Sequence, residues 1–274
     1  MSNARWRFSP APRYPVGRMA STWNPAQYNR FRSQRQQPFF DLLALVRPTP
    51  AMRVVDLGCG TGELTRLLHE RLSATDTLGL DSSASMLADS VQHSVAGLHF
   101  SQGDIAAFTP TAAYDLVFSN AALQWLPDHQ ALFTRLTAAL AAGGQLAVQM
   151  PVNYDHPSHT VAAALAGEPP FAAALGGFVI ERPVHAPEWY ATCLHRLGYA
   201  EQHVRLQVYG HVLAARDEVI EWVKGTLLTA YQQRLPADLW PQFLDRYRAA
   251  LLPALDDSRP YFYPFKRLLL WGRR

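Results

Sequence analysis

The run Val54-Val55-Asp56-Leu57-Gly58-Cys59-Gly60-Thr61-Gly62-Glu63-Leu64 leaves this chain few ways to fold. It predicts a buried strand, a glycine turn and a helix start in immediate succession. Glycines at alternate positions let the backbone take positive φ and approach a ligand with no Cβ in the way. The amides from Gly60 to Glu63 then fall at a helix N-terminus, where donors lack intrahelical partners and the dipole favours electron-rich groups. A dinucleotide fingerprint would read Gly-x-Gly-x-x-Gly. Here the spacing is Gly-x-Gly-x-Gly, and Asp56 stands two residues before the first glycine. A carboxylate there repels a diphosphate and suits an ammonium, which argues against a nicotinamide dinucleotide.

The following segments extend that unit into a sheet. Leu78-Gly79-Leu80-Asp81, Leu98-His99-Phe100, Asp115 to Asn120 and Gln145 to Met150 read as strands. Helical stripes alternate with them: Leu64, Leu67, Leu68 and Leu72, and then Leu132, Phe133, Leu136 and Leu140, which Gly143-Gly144 is expected to close. Ser82 and Ser83 are expected to cap a helix whose Met86 and Leu87 face inward. Strands alternating with helices, each strand nearly continuous in apolar residues, predict a parallel sheet covered on both faces. Ligands of such sheets bind at the strand carboxyl ends, where Asp56, Asp81, Asp104 and Asn120 all fall. Asp81 suits a pair of ribose hydroxyls. Asp104 and Ile105 suit the amino group and ring of an adenine, although Gly103-Asp104 is also an ordinary turn pair.

Outside this core, residues 1–18 carry three prolines, four arginines and no apolar period, and are expected to be a disordered extension. A protein that starts at Met19 should therefore keep its turnover, and loss of most of the activity on that truncation would contradict the expectation. Residues 19–50 read as N-terminal helices. Asn24-Pro25 is a helix start, Tyr28, Arg32 and Arg35 share a face, and Pro38 interrupts ahead of a stripe from Phe39 to Val46. Residues 51–151 form the ligand-binding core, and 152–274 hold the rest of the sheet with a helical insertion. There, 188–197 reads as a helix and 204–212 as a strand. Residues 216–231 and 239–252 read as two amphipathic helices, and 261–274 as a final strand at the sheet edge. The stripe Trp222, Tyr231, Trp240, Phe243 and Tyr247 is expected to be packing.

Charge and composition exclude several classes. Eight arginines face one acid in residues 1–50, yet the whole chain is only +3, so the remainder is net acidic. Lysine occurs only at 224 and 266, and the arginine-rich arm suits an anionic small molecule better than nucleic acid. No apolar run is long enough for a bilayer span or a secretory signal, so a cytoplasmic protein with no membrane partner is expected. Cys59 and Cys193 are too few and too far apart for a disulfide framework and read as small buried residues. His156, His159 and His185 match no metal template, and no metal is expected. The sequence leaves the oligomeric state open.

Motifs beyond the glycine turn carry a resemblance. Trp23-Asn24-Pro25 with Tyr28, Phe31 and Arg35; Ser119-Asn120-Ala121 with Leu123-Gln124-Trp125-Leu126-Pro127-Asp128-His129; Val148-Gln149-Met150-Pro151 with Asn153, Pro157 and His159; and Ile220 with Trp222-Val223 together make the chain from Trp23 onward resemble the trans-aconitate 2-methyltransferase family. Its cofactor half is similar to class I S-adenosylmethionine-dependent methyltransferases in general. The resemblance implies an α/β, Rossmann-like fold: a seven-stranded, mostly parallel sheet with its last strand antiparallel, helices on both faces and a helical lid. It also implies S-adenosylmethionine as cofactor and methyl esterification of a small polycarboxylate. The implied cofactor contacts are Tyr28, Arg35, Asp56, Gly58, Cys59, Gly60, Asp81, Ser82, Met86, Asp104, Ile105, Asn120 and Ala121. The implied substrate contacts are Arg32, Trp125, Tyr154, His159, Trp222 and Lys224, with Arg30, Lys266, Arg267, His156, Tyr261 and Tyr263 as further candidates. No catalytic side chain is expected, because a carboxylate with a pKa near 4 is already ionised at pH 7 and needs only to be held in place. Methylation of another small molecule or of a carrier-bound acyl group, and cofactor binding without turnover, are the alternatives.

Overall fold

The computed structural model describes residues 32–110 and 113–274, with side chains from residue 36 onward. Tyr28, Arg30, the side chains of Arg32 and Arg35, and the extension before Met19 lie outside the described residues. Seven strands form one sheet: β1 (Arg53–Leu57), β2 (Asp76–Asp81), β3 (Leu98–Gln102), β4 (Tyr114–Asn120), β5 (Leu140–Pro151), β6 (Glu201–Leu213) and β7 (Tyr261–Arg273). Their order is β3-β2-β1-β4-β5-β7-β6. The first five pair in parallel, whereas β7 runs antiparallel to both β5 and β6. The last strand is therefore interior and not at the sheet edge, a place taken by β6. The reason is burial: Leu268, Leu269 and Leu270 are fully buried, and only an interior strand buries successive side chains on both faces.

The chain reverses direction along the sheet at β1 and β4, and the glycine turn opens at that switch point. Helices α1 (Arg32–Leu43), α2 (Glu63–Leu72), α3 (Ala84–Ala88) and α4 (His129–Ala138) belong to the parallel half. Pro38 lies inside α1 and does not end it. Proline's fixed φ is helical, so the loss is confined to one backbone bond and local crowding. Against that, Phe39 and Leu42 bury completely, and Phe39 meets Phe118 of β4 edge-on at 5.4 Å. Gly143 and Gly144 do not close α4 either. They sit in the first stretch of β5, where Gly143 takes φ 73° and the β4–β5 register slips between Tyr114 and Leu116.

A second apolar core forms beyond the carboxyl ends of the parallel strands. It joins α5 (Pro157–Ala166), α6 (Phe171–Ala174), α8 (Glu218–Lys224), α9 (Leu227–Gln232) and α10 (Leu239–Leu251) to the outer arms of β6 and β7. The segment 216–231 is two helices and not one, broken at Gly225 and at Thr226, whose φ −139°, ψ −91° is not helical. Trp222, Tyr231, Phe243 and Tyr247 are buried in this core, as packing residues should be. Helix α7 (Pro187–Arg196) covers β6 and buries Cys193. No described helix is long and apolar enough to cross a membrane.

Candidate functional site

At the end of β1 the chain enters the glycine turn with Gly58, Gly60 and Gly62 at φ 83°, 58° and 80°. A Cβ on Gly58 would stand 2.2 Å from the Ala122 Cβ, so glycine is what lets the turn lie against the segment that follows β4. The turn amides are less available than the sequence suggests. Gly58 and Cys59 both donate to the Leu80 carbonyl, at 2.8 and 3.1 Å, and Gly62 donates to the Cys59 carbonyl at 3.1 Å. The Gly60 amide donates to Asp81 Oδ2 at 2.9 Å. The turn closes on the end of β2 because those carbonyl and carboxylate oxygens face it.

Asp81 is thereby fixed: its other oxygen accepts the Ser83 amide at 2.9 Å. Each carboxylate oxygen keeps a second lone pair, so a braced, bidentate acceptor faces outward beside the turn. Ser83 caps α3 by accepting from the Met86 amide, while Ser82 is exposed and Met86 half-buried. The Met86 Cε lies 3.2 Å from where a Gly60 Cβ would be, which places this thioether over the turn. Asp56 is buried and accepts from Thr65 Oγ1 at 2.6 Å. Burial raises its pKa to about 7, opposed by the Thr65 hydrogen bond and reinforced by the Asp81 charge. Burial and the same two carboxylates push the Cys59 thiol up, which makes it an inert packing group. Asp104 follows β3, caps a short 3-10 turn through the Ala106 amide at 2.8 Å, and stays exposed; Ile105 beside it is buried.

The end of β4 carries local strain. Ala121 takes φ 58°, and its amide donates to the Gln149 carbonyl at 2.9 Å. A non-glycine residue held in the left-handed region costs about 1 to 3 kcal/mol and persists only where its surroundings enforce it. Asn120 beside it has a buried Oδ1 with no hydrogen-bond partner. An orphaned buried acceptor of this kind has room for a donor from a ligand or a water.

Asn120 and Ala121 also begin the wall of a cavity of about 470 Å³ between the ends of β4 and β5 and the second apolar core. Trp125, Tyr154, His159 and Trp222 line it, as do Arg182 and Arg267. Burial, outweighing the Arg182 charge, pushes the Tyr154 hydroxyl up to about 12. Burial likewise takes His159 down to about 4, helped by His156 and Arg182. Both side chains are therefore neutral hydrogen-bonding groups at pH 7. The Arg182 guanidinium lies 5.7 Å from the Tyr154 ring centre, and Arg267 is buried with Nη1 3.3 Å from Gln149 Oε1.

Lys224 is a correction. It lies outside the cavity wall and pairs with Glu221 at 2.6 Å, because the i,i+3 spacing on α8 sets the two side chains on one face. Tyr261 is outside the wall too, buried in the second apolar core. Lys266 pairs with Asp155 at its own, smaller cavity, which Tyr154 and Arg182 also border. Arg182 was not legible as a site residue: it sits in a loop ahead of Pro183 with no periodic neighbour. Only the preceding Gly176-Gly177 hints that the chain turns there.

A glycine turn at the switch point, carboxylates at the ends of β1 and β2, and an interior antiparallel last strand are the architecture of Rossmann-like class I methyltransferases. Comparison with known proteins agrees. A family model described as a methyltransferase domain matches residues 48–175. The YcgJ protein of Bacillus subtilis shares the fold, with TM-score 0.58 and 16% identity over 87% of this chain and 98% of that one. So does a Haemonchus contortus phosphoethanolamine N-methyltransferase 2 solved with S-adenosylhomocysteine, with TM-score 0.56 and 15% identity over 94% of this chain and 59% of that one. Sequence relatives are nearer. A trans-aconitate 2-methyltransferase of Deinococcus radiodurans is 44% identical over 92% of this chain and 98% of its own length. One of Methylobacterium nodulans is 43% identical over 92% and 98%. The chain belongs to the trans-aconitate 2-methyltransferase family, and its cofactor is S-adenosylmethionine.

Proposed function

We propose that the protein methylates a carboxylate oxygen of a small di- or tricarboxylic acid, with trans-aconitate as the leading candidate. The observation that carries this reading is that Arg182 and Arg267 line the same cavity, which starts at Asn120 and Ala121 at the strand ends. Arginine pairs carboxylates bidentately, and two guanidiniums suit a substrate with more than one carboxylate. Tyr154 and His159 add neutral donors on the same wall.

S-adenosylmethionine, when bound, supplies a methyl group on an electrophilic sulfonium. The residues that would hold it are those around the glycine turn. Asp56 would face the ammonium of its methionine part, beside Gly58, Cys59 and Gly60. Asp81, with Ser82 and Met86, would take the ribose. Asp104 and Ile105 would flank the adenine, while Asn120 and Ala121 lie between this group and the cavity. Arg35 and Tyr28 would meet the methionine carboxylate. No side chain need remove a proton, since the substrate carboxylate is ionised at pH 7; the work of the chain is to orient the acid and exclude water. Helices α5, α8 and α9 contribute to the cavity wall and would serve that purpose.

Arg182→Ala should raise the Michaelis constant for trans-aconitate about tenfold or more and leave cofactor affinity unchanged, since a charged hydrogen bond contributes about 1.5 to 3 kcal/mol. Steady-state kinetics with calorimetry on the same variant test this, and an unchanged Michaelis constant would remove Arg182 from the site. One feature favours a second reading. Most of the remaining wall is apolar, with Phe178, Val179, Ile180, Val223 and Leu227, interrupted by Glu181, Asn153 and Thr226. That lining suits a carboxylic acid with a hydrocarbon body, so such acids belong in the substrate panel beside the polycarboxylates.

A further inference from the structure

Ser158 is fully buried at the start of α5, between two histidines. Its hydroxyl oxygen lies 2.9 Å from His156 Nδ1 and 3.1 Å from His159 Nδ1. The Tyr263 phenol lies near this hydroxyl. One hydroxyl proton has to choose among these groups, and the surrounding hydrogen bonds restrict the choice. The Ser158 backbone amide donates to His156 Nδ1 at 3.1 Å, capping the helix. An unprotonated imidazole nitrogen has one in-plane lone pair, so His156 Nδ1 is already an occupied acceptor. Tyr263 already accepts from Asn153 Nδ2 at 3.4 Å, so its phenol oxygen is engaged. The acceptor left for the Ser158 proton is His159 Nδ1.

We infer that Ser158 is a positioning residue that keeps the His159 proton on Nε2, so that the ring presents a neutral N–H donor to the cavity. A neutral imidazole whose Nδ1 accepts carries its hydrogen on Nε2, and the partner of one nitrogen sets the state of the other. The ring of His159 lines the cavity with Nδ1 turned to Ser158, so the opposite nitrogen is the one offered to a ligand. Burial keeps the ring uncharged. His159 packs edge-on against Tyr154 at 6.1 Å, and Arg182 lies over that same tyrosine. The pair therefore sets one neutral donor and one cation beside a shared aromatic wall. A carboxylate can take a hydrogen bond from His159 there while the ring, already protonated on the facing nitrogen, has no lone pair with which to draw off a proton. This selects ionised acids over substrates that need a base; it rests on the carboxylate reading above.

Long-range proton–nitrogen spectra of the full protein with 15N-labelled histidine, assigned by comparison with His159→Gln, test the inference directly. The expected spectrum has His159 protonated on Nε2 and bare on Nδ1, and this wild-type result requires no variant to fold. In Ser158→Ala the two tautomers should average, and the Michaelis constant for trans-aconitate should rise about tenfold with kcat and cofactor affinity unchanged. Ser158→Thr, which keeps the hydroxyl, should restore both. A proton on Nδ1 in the wild type, or a Ser158→Ala protein with unaltered spectrum and kinetics, would overturn the inference. Failure of every acid as a substrate would instead strike the carboxylate reading, since the nitrogen spectrum is measured without substrate.

Discussion

Asp81→Ala is expected to weaken S-adenosylmethionine binding by two orders of magnitude or more. Two losses add in the same direction. The carboxylate would accept both ribose hydroxyls, and each hydrogen bond to a charged acceptor contributes about 1.5 to 3 kcal/mol. The same carboxylate now holds the Gly60 and Ser83 amides at 2.9 Å each, so its removal also frees the glycine turn and the start of α3. Asp81→Asn should fall between the two, because its amide nitrogen cannot accept from a backbone N–H and one of the two braces is lost. Titration calorimetry on folded variants reads the effect. An affinity for Asp81→Ala equal to wild type would show that the ribose lies elsewhere.

Asp56→Asn should make the unliganded protein more stable at pH 8 while weakening its hold on the cofactor. Burial raises the folded-state pKa of Asp56 from 3.8 to about 7. Between those values the folded protein binds a proton that the unfolded chain does not. The stabilisation this gives is fully present below pH 3.8 and is lost as the pH rises through 7. Asparagine does not titrate, so the variant should gain on wild type from pH 4 upward, by on the order of 4 kcal/mol above pH 7. A ligand ammonium facing Asp56 reverses the balance by favouring the carboxylate. Wild-type cofactor affinity should therefore climb between pH 5.5 and 7.5, with a proton released on binding, whereas Asp56→Asn should bind weakly with little dependence on pH in that range. Denaturant melts and calorimetry in buffers of different ionisation enthalpy measure the two halves separately. A wild-type affinity flat across that range would contradict the ammonium contact.

The sheet was legible because its signals are local. Apolar runs bounded by Asp56, Asp81 and Asn120 mark strand ends by residue type alone, and the glycine turn announces the helix that follows it. What sequence reasoning missed depends on contacts between distant segments. Pro38 reads as a helix break, but the burial of Phe39 and Leu42 against β4 and its neighbours outweighs one missing amide. Strand β7 reads as an edge because it comes last in the chain, yet pairing on both sides places it inside. In the candidate site, Tyr154, His159, Trp125 and Trp222 could be named in advance and do share a cavity wall. Arg182 could not, since only the folded loop carries it to Tyr154. The hydrogen bonds that occupy the turn amides were hidden for the same reason, as their acceptors lie on β2.

Transfer of the methyl group of S-adenosylmethionine to a carboxylate of a small acid is the reaction proposed for this fold. The full-length protein incubated with methyl-deuterated S-adenosylmethionine and a panel of di- and tricarboxylic acids, together with acids bearing hydrocarbon bodies, tests it most directly. Mass spectrometry should show a deuterated monomethyl ester that forms fastest from trans-aconitate and is cleaved by mild alkali. A labelled product that resists alkali, or the absence of labelled product from every acid in the panel, would contradict the account.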